Sequence, residues 1–493
     1  MRNGMIAAAM LLTGLGWAGA QDTRVVTEPK IPAACATLTA DKYVGADRQM
    51  RAEDEGKLDT IRIQQAMDKC MAGMAVRLVT GVGKAPAKGK MGLGSPLNAF
   101  LTGALEMREG VTLWVDKGVT LFGSRDPKDY DYGSGICGTM PDDTPRPMGA
   151  PMRPNESQKA PMGCKPLISI VNVKNVGIVG DGIIDGRGDQ TIVGHDYSWW
   201  QMARKAEPGN KRYYSGRLIV ANHADGLILY GITLHNSPNF HVSVNGTNGF
   251  TAWGVHLLTP TTKGTDARNT DGIDPGSSTN ITVAHSWIDN GDDNIAIKTG
   301  VTHMSVLDNH FYSGHGMSIG SETFTGDSYL LVDGLVEDHT TSGVRIKSNV
   351  TRGGPVHDMV YQNICMRDVQ VPIAISPYYN NGTTDQFFDP GFKGDRIPSY
   401  KGIVLRNIVD LTAGDVLIAG YDQAHRTEVR LEDVRIVGIT PEQMHLRLAD
   451  ISYFGTNLPL EETSAGKDVA LTKIERKAEK KPFSCEGKFV PMR

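Results

Sequence analysis

The chain has 493 residues, of which 57 are glycine, and its formal net charge is -4 at pH 7. This length can bury a large core, and the glycine content lies above the average of about 7%, which favours a turn-rich β protein. The small negative charge excludes a general attraction to nucleic acid or to any other polyanion, so an anionic substrate would need positive charge placed locally.

The first twenty residues have the order of a secretory signal peptide. Arg2 precedes an apolar stretch over 5–17, and small residues over 18–20 precede the polar Gln21. This order predicts cleavage after Ala20 and a secreted protein, extracellular or periplasmic. The alternative is a membrane anchor, but the apolar stretch is shorter than the roughly 20 residues that a span needs. We therefore expect no membrane association after cleavage.

The six cysteines include no CxxC pair, which argues against a zinc site. In an exported protein their even number predicts disulfides. Two pairs would each close a loop of about 30 residues, worth roughly 3 kcal/mol in chain entropy: Cys35 with Cys70, and Cys137 with Cys164. Cys365 lies in an apolar run, as a buried free thiol would, so its state and that of Cys485 stay open.

Residues 61–71 have helical spacing and are expected to form a short cap at the N-terminal end. From about residue 165 the sequence repeats a short apolar run, a small or polar residue, a second short run and then glycine. The small or polar position recurs at steps of 23 to 44 residues, at Gly231, Gly254, Ser286, Asn309, Gly334, Asn363, Asn407 and Asp433. Repeats of this length are typical of a stacked solenoid, whose first coil needs a cap.

These repeats predict an all-β fold, a right-handed parallel β-helix. No long amphipathic helix interrupts the repeats, which argues against βαβ units, and the Leu and Asn spacing of leucine-rich repeats is absent. We expect a single domain over 21–493 with its core at about 165–440.

Three other segments differ from the repeats. Residues 137–164 hold six prolines between two cysteines and are predicted to be a stapled loop. A second long loop is expected over 380–400, with aromatic residues Phe387, Phe388, Phe392 and Tyr400. The Lys-rich C-terminal tail, about 465–493, is expected to be solvated.

Four polar clusters interrupt the apolar pattern, at 269–272, 291–293, 314–316 and 345–347. Asp292 lies six residues after Ser286, and His315 lies six residues after Asn309, so both are expected at the same phase of successive coils. Asp271 precedes Asp292 by 21 residues, about one coil. Because coils stack at about 4.8 Å, three carboxylates, an imidazole and two cations should converge within roughly 15 Å.

Each cluster alone has an ordinary interpretation as a surface turn or a solvated strand face. Their common phase is what indicates a site, since stacked like charges repel. Glycoside hydrolysis needs one protonated carboxylic acid and a second carboxylate, and crowded carboxyl groups keep one proton near neutral pH. Arg345 and Lys347 should point to one side with Ile346 facing the core, which suits a substrate with a carboxylate on each sugar.

The runs NTDGIDPGSSTNITVAHSWIDNGDDNIAIK, GHGMSIGSET and GVRIKS resemble, in order, the motifs of the polygalacturonases of glycoside hydrolase family 28. SPNFH and PIAISPYY also fit, and TRVVTEPKIPAACATLTADK with IRIQQAMDKC is similar to bacterial endo-acting members. The resemblance implies that Asp292 is the general acid and that Asp271 and Asp293 hold the attacking water. His315 would tune the acid.

The same resemblance implies that Arg345 and Lys347 bind the substrate carboxylate, and Asn269 is grouped with them. The substrate-contacting tyrosine matches Tyr379 best, with Tyr378 beside it as the alternative. The resemblance implies no metal and no cofactor. The expected partner is polygalacturonate, and the expected protein is a monomer that binds no nucleic acid.

The sequence thus predicts a secreted polygalacturonase that cleaves α-1,4-galacturonosidic bonds with inversion, in endo fashion. Exo action is the first alternative, because the loops at 137–164 and 380–400 are longer than we expect in compact endo-acting members, and long loops can close one end of a cleft. A pectate lyase would use Ca²⁺ and an arginine base. A rhamnogalacturonan hydrolase shares the fold and the acids, and a non-catalytic carbohydrate-binding β-helix is the alternative from another class.

Overall fold

The computed structural model describes residues 21–82, 96–140, 163–208, 211–259, 267–379, 394–464, 468–476 and 482–492. The predicted signal peptide, the interior of the 137–164 loop, residues 380–393 and parts of the C-terminal tail lie outside the described residues.

One long sheet, here called sheet 1, stacks parallel strands from successive coils, with each strand paired to the next along the chain. In the described part it has eleven strands. They are Leu105–Glu106, Ile168–Val171, Ile219–Asn222, Val242–Asn245, Ile273–Gly276, Ile295–Ile297, Met317–Gly320, Ser342–Lys347, Val371–Ser376, Val416–Ala419 and Met444–Arg447.

The second long sheet, sheet 2, wraps the rest of each coil and counts 22 parallel strands over the described residues. They are Ala34–Thr39, Ala75–Val79, Ala99–Thr102, Thr112–Val115, Thr120–Gly123, Gly177–Val179, Ile183–Asp185, Leu227–Tyr230, Thr233–His235, Asn248–Trp253, His256–Leu258, Thr279–Ala284, Trp287–Asp289, Thr302–Leu307, His310–Tyr312, Asp327–Asp333, Val336–Asp338, Pro355–Arg367, Ser399–Asp410, Thr427–Ile436, Ala449–Phe454 and Val469–Lys473.

The remaining elements are short. They are the antiparallel strands Gly81–Val82 and Pro96–Leu97, the α-helices Thr60–Lys69, Trp199–Ala206 and Leu460–Ser464, and the 3-10 helices Pro127–Asp129 and Pro441–Gln443. Within the described ranges, none of these helices has the length and apolar character that would span a membrane.

Alternation along each strand separates the core from the outer surface. In the strand Val242–Asn245, Val242 and Val244 are fully buried while Ser243 and Asn245 point outward. The next strand of sheet 1 repeats this order, since Ser243 pairs with Asp274. The predicted all-β parallel β-helix is therefore confirmed, but its strands extend on both sides of the expected core at 165–440.

In each coil, two strands of sheet 2 meet at a bend. In two coils this bend lies one residue before the small or polar position of the sequence repeat. Gly231 and Gly254 take positive φ values of 68° and 60°, and the equivalent residues in the next coils are His285 and Asp308, with φ values of 53° and 51°. Ser286 and Asn309 therefore lie one residue after the bend. They were misplaced because aspartate and histidine tolerate the left-handed conformation and glycine is not required there.

Ser286 and Asn309 point into the helix, where the Ser286 N–H donates to Asn309 Oδ1 at 2.9 Å. The Asn309 side chain in turn donates to the Val283 carbonyl at 2.9 Å. This internal ladder satisfies backbone groups that the bend removes from the sheet.

The N-terminal end is capped as expected. The helix Thr60–Lys69 covers the first coil and buries Ile63 and Met67, and the Cys35–Cys70 disulfide ties it to the strand Ala34–Thr39. The predicted Cys137–Cys164 disulfide is also present.

Residues 22–28, here called the N-terminal strap, cross the outer face of sheet 2. The Asp22 N–H donates to Ser305 Oγ at 3.0 Å, and Thr282 Oγ1 donates to Asp22 Oδ2 at 2.8 Å. Further along, the Tyr230 hydroxyl donates to Glu28 Oε1 at 2.7 Å. The strap thus ties together strands from different coils.

Residues 482–492, here called the C-terminal strap, return to the same sheet and contact coils that follow those crossed by the N-terminal strap. Cys485 forms a disulfide with Cys365, 120 residues away, and Phe483 and Phe489 pack on the neighbouring apolar side chains. The suggestion of a free thiol at Cys365 is therefore wrong. Most residues of 482–492, including Lys488, are exposed, while Phe483, Cys485 and Phe489 hold the segment against sheet 2.

The last residue of the predicted 380–400 loop lies in a strand and not in a loop. Tyr400 belongs to the strand Ser399–Asp410, is 1% exposed, and donates its hydroxyl hydrogen bond to the Ser376 carbonyl at 3.1 Å.

Candidate active site

The predicted acids lie where the chain enters sheet 1 in successive coils. The Gly272 N–H donates to the Asp293 carbonyl at 2.9 Å, and the His315 N–H donates to the Asp292 carbonyl at 2.9 Å. Asp271 therefore stacks beside Asp293 and not, as the spacing suggested, beside Asp292. The predicted equal phase of Asp292 and His315 is also wrong. Asp289 pairs with Tyr312 and Ile295 with Met317, so the turn at 290–294 is one residue longer than the turn at 313–316 and the backbone of His315 is level with Asp293.

The two predicted cations reach this position from further along sheet 1. Arg345 pairs with Ser318, three residues after His315, so it does not share the phase of the imidazole. The Arg345 side chain is long enough to reach the acids nevertheless, and its Nη1 lies 3.0 Å from Asp293 Oδ1. Lys347 Nζ lies 2.7 Å from Asp293 Oδ2. Ser318 Oγ also donates to Asp293 Oδ1, at 2.8 Å. Asp293 is thus held as a carboxylate by two cations and a hydroxyl.

Asp292 has different neighbours. His315 Nδ1 lies 3.2 Å from Asp292 Oδ1, and the Asp293 N–H donates to the same oxygen at 2.9 Å. The Asn269 N–H donates to Asp292 Oδ2 at 3.3 Å, and Tyr213 donates its hydroxyl hydrogen bond to Asn269 Oδ1 at 3.1 Å. Asn269, expected among the substrate-binding residues, contacts Asp292 here.

The structure distinguishes the two candidate tyrosines. The Tyr379 ring centre lies 5.1 Å from Lys347 Nζ and 5.7 Å from the Arg345 guanidinium carbon. Tyr378 is 2% exposed and donates its hydroxyl hydrogen bond to the Gly420 and Tyr421 carbonyls, both at 3.2 Å. Tyr379 is therefore the one beside the cations.

Burial acts to raise the pKa of the Asp271, Asp292 and Asp293 carboxyl groups, but neighbouring charges give the three groups different net pKa shifts. For Asp292, the effect of burial is outweighed by His315 and Lys347, and the pKa is lowered. For Asp293, Lys347 and Arg345 likewise bring the pKa below its usual value. The pKa of Asp271 is raised well above its usual value, by burial and then by the nearby carboxyl groups. Of these three carboxyl groups, Asp271 therefore binds a proton most readily in the free protein.

Two charged residues at the site were missed by the sequence interpretation. Asp274 is 3% exposed on the outward side of the strand Ile273–Gly276, and Lys298 follows the next strand of sheet 1. Lys298 Nζ lies 4.0 Å from Asp274 Oδ2 and 3.9 Å from Glu322 Oε2. The signal was available, since Asp274 is outward by the same alternation that was applied to Arg345.

Asp292, Asp293 and His315 place one ligand atom each within 4.8 Å of one another. Such a group can in principle hold a metal ion. Here Arg345 and Lys347 already bind both oxygens of Asp293, so positive charge is supplied by side chains and a further cation would be repelled.

A family model, Glycosyl hydrolases family 28, matches residues 118–450. The chain is 34% identical to a polygalacturonase of Ralstonia nicotianae, over 99% of this chain and 96% of that protein. It is 36% identical to an endo-polygalacturonase of Pectobacterium parmentieri, over 86% of this chain and 92% of that protein. The solved polygalacturonase from Erwinia carotovora ssp. carotovora superposes with a TM-score of 0.70 at 33% identity, covering 87% of this chain and 100% of that one.

Proposed function

Because the chain belongs to glycosyl hydrolases family 28, we propose that it hydrolyses the α-1,4-galacturonosidic bonds of polygalacturonate, the de-esterified form of pectin. The observation that carries the proposal is the contact of Arg345 and Lys347 with Asp293, beside Asp292, Asp271 and His315. It puts two carboxylate-binding cations against a cluster of acids.

In the proposed reaction Asp292 donates a proton to the leaving glycosidic oxygen. A water molecule attacks the anomeric carbon from the opposite face, and its proton passes to Asp293 or Asp271. This direct displacement inverts the anomeric centre. One carboxylate oxygen of Asp292 and one of Asp293 lie within 4.8 Å of each other, which is closer than the roughly 6.5–9.5 Å usual for inverting glycosidases. His315, at 3.2 Å from Asp292, orients the acid and sets its proton affinity.

The lowered pKa of Asp292 in the free protein places a condition on this role. His315 lowers this pKa most, and Lys347 lowers it further. A substrate carboxylate bound to Lys347 and Arg345 adds a negative charge and neutralises that influence, so the pKa of Asp292 rises when substrate binds. The acid then takes up its proton from water in the complex, where it is needed.

Endo action is supported by the similarity to the endo-polygalacturonase of Pectobacterium parmentieri. The signal-peptide pattern of residues 1–20 supports secretion, and the reaction proposed uses neither a cofactor nor a metal. We propose that the protein acts as a monomer, since one chain supplies every residue named above.

Analysis of the products formed over time from polygalacturonate tests this function. Early mixed oligomers with a rapid fall in viscosity are expected. Monomers or dimers from the start would mean exo action, an unsaturated ultraviolet-absorbing product would mean a lyase, and the absence of new reducing ends would mean a binding protein.

The stereochemistry is tested separately by proton NMR of the first-formed product. The inverted anomer is expected before mutarotation. A retained anomer would show that one of the aspartates attacks the sugar directly.

A further inference from the structure

Asp274 is the charged residue of sheet 1 that the proposed reaction leaves without a role. Its side chain is 2% exposed, and both carboxyl oxygens are buried without a hydrogen-bond partner among the described residues. The nearest cation, Lys298, stands off at 4.0 Å and donates its hydrogen bond to the Gly320 carbonyl instead. A buried carboxylate in this position is costly, because its acceptor oxygens lack donors.

Asp271 has the same deficit. Its Oδ1 is buried and has no hydrogen-bond partner in the described part of the chain. Asp271 precedes the strand Ile273–Gly276, and Asp274 is the second residue of that strand. Both therefore belong to one short segment where the chain enters sheet 1. A carboxyl group that keeps its proton becomes a donor, which is what these acceptor oxygens lack.

Resting on the proposed function, we propose that Asp274 is a positioning residue for Asp271: the buried charge of Asp274, on the same short segment, sets the pH at which Asp271 becomes the free carboxylate that holds the attacking water. The proton affinities agree with this geometry. Burial raises the pKa of Asp274 to about 7, and Asp274 is the first charge after burial in raising the pKa of Asp271.

Other charged and titratable groups face this pair, and the proposal depends on their balance. Lys298 and Arg217 favour the ionised pair, and Asp292 and Asp293 oppose it. Two further neighbours are uncharged near neutral pH: Tyr213, whose pKa burial raises to about 12, and His241, whose pKa burial lowers to about 4. Asp274 is therefore the neighbour whose removal should change the proton on Asp271 most.

The test is the pH profile of kcat/KM on polygalacturonate, whose acid limb reports the ionisation of the free protein's base. In the wild type, Asp271 is fully ionised only when the pair loses its second proton. Asp274→Asn keeps the shape and leaves Asp271 to titrate alone, so the acid limb should move to lower pH by about one unit or more. Lys298→Met removes the opposing charge and should move the limb to higher pH.

Asp327→Asn is the matched control. Asp327 is also a buried carboxyl with a raised pKa, about 8, and an unpartnered oxygen among the described residues, but it lies in sheet 2. Its variant should leave the limb in place. An unmoved limb in Asp274→Asn, or shifts in the same direction for Asp274→Asn and Lys298→Met, would overturn the proposal. Wild-type protein without hydrolytic activity would instead overturn the proposed function.

Discussion

In both sheets the side chains alternate between inward and outward positions, but the outward positions of sheet 1 and sheet 2 hold different groups. On sheet 1 the outward positions hold charged groups that are nearly inaccessible: Asp274 is 3% exposed and Arg345 is also 3% exposed. On sheet 2 the two straps cover part of the outward surface, with Asp22 and Cys485 as their buried anchors, while positions such as Lys401 stay exposed. One face concentrates costly charge for chemistry, while the other provides stabilising contacts between coils.

The difference suggests how the fold tolerates its site. Buried carboxyl groups with unsatisfied oxygens, such as those of Asp271 and Asp274, lower the stability of the folded state. A disulfide and buried hydrogen bonds on the opposite sheet raise it without touching the site. Substitutions on sheet 1 should therefore change catalysis, and substitutions in the straps should change stability alone.

The largest effect on catalysis is expected for Asp292→Asn. The variant keeps the shape of the side chain but removes the proton donor, and general acid catalysis contributes about 10² to 10⁴-fold. We expect kcat to fall by at least about 10²-fold with an unchanged circular dichroism spectrum. Asp308→Asn, at an exposed bend of sheet 2, is the control and should keep full activity. An Asp292→Asn variant with more than a tenth of the wild-type rate would remove Asp292 from the acid role.

A smaller effect is expected for Lys347→Met. A hydrogen bond to a charged group contributes about 1.5–3 kcal/mol, so kcat/KM on polygalacturonate should fall by about 10 to 100-fold. The loss should be much smaller on methyl-esterified pectin, which offers no carboxylate. Lys401→Met, on an exposed position of sheet 2, should change neither value. Equal losses on the two substrates would show that Lys347 acts through Asp293 alone and does not bind the substrate.

Opening the C-terminal strap should leave catalysis intact and reduce stability. The Cys365–Cys485 disulfide closes a long loop, for which the chain-entropy model gives about 4.7 kcal/mol at 100 residues. Replacing both cysteines by serine should lower the free energy of unfolding by about 2–5 kcal/mol, measured by urea titration. kcat/KM at 25 °C should stay within twofold. A large loss of activity in the still-folded variant would contradict the separation of the two faces.

The smallest effect is expected in the N-terminal strap. Asp22→Ala removes the acceptor of Thr282 and leaves catalysis unchanged, while hydrogen bonds to a charged group of this kind contribute about 1.5–3 kcal/mol. Thermal unfolding of the variant should begin at a lower temperature than in the wild type. Thr23→Ala, which removes an exposed hydrogen bond to Asn280, serves as the control with a smaller shift. Equal shifts would mean that burial of Asp22 contributes nothing.

The coils and the composition of the site were predictable because both are encoded by local alternation. The strands Leu227–Tyr230 and Asn248–Trp253, for example, pair in parallel as the repeat indicated. Contacts between individual residues could not be predicted in this way. The pairing of Ile273 with Ile295 places Asp271 beside Asp293 and not beside Asp292. The long Arg345 side chain also reaches Asp293, although its backbone is not level with that residue.

The straps were not predictable from periodicity. Residues 22–28 and 482–492 carry no repeat, and their partners lie hundreds of residues away in sequence or, for Cys485, 120 residues away. Disulfide connectivity cannot be deduced from the spacing of cysteines alone when several pairings are open. Asp274, by contrast, was missed although its alternation was readable, because the interpretation of its motif ended at Asp271.

The N-terminal strap also has a consequence for the order of folding. Asp22 binds Ser305, which is 283 residues further along the chain. Such a contact has a high entropic cost of loop closure and forms only after the intervening coils have stacked. The N-terminal strap would thus dock only after the coil around residue 305 has formed. Its docking is a late step of folding, and pulse-labelled protease protection of the strap should lag behind that of the central coils.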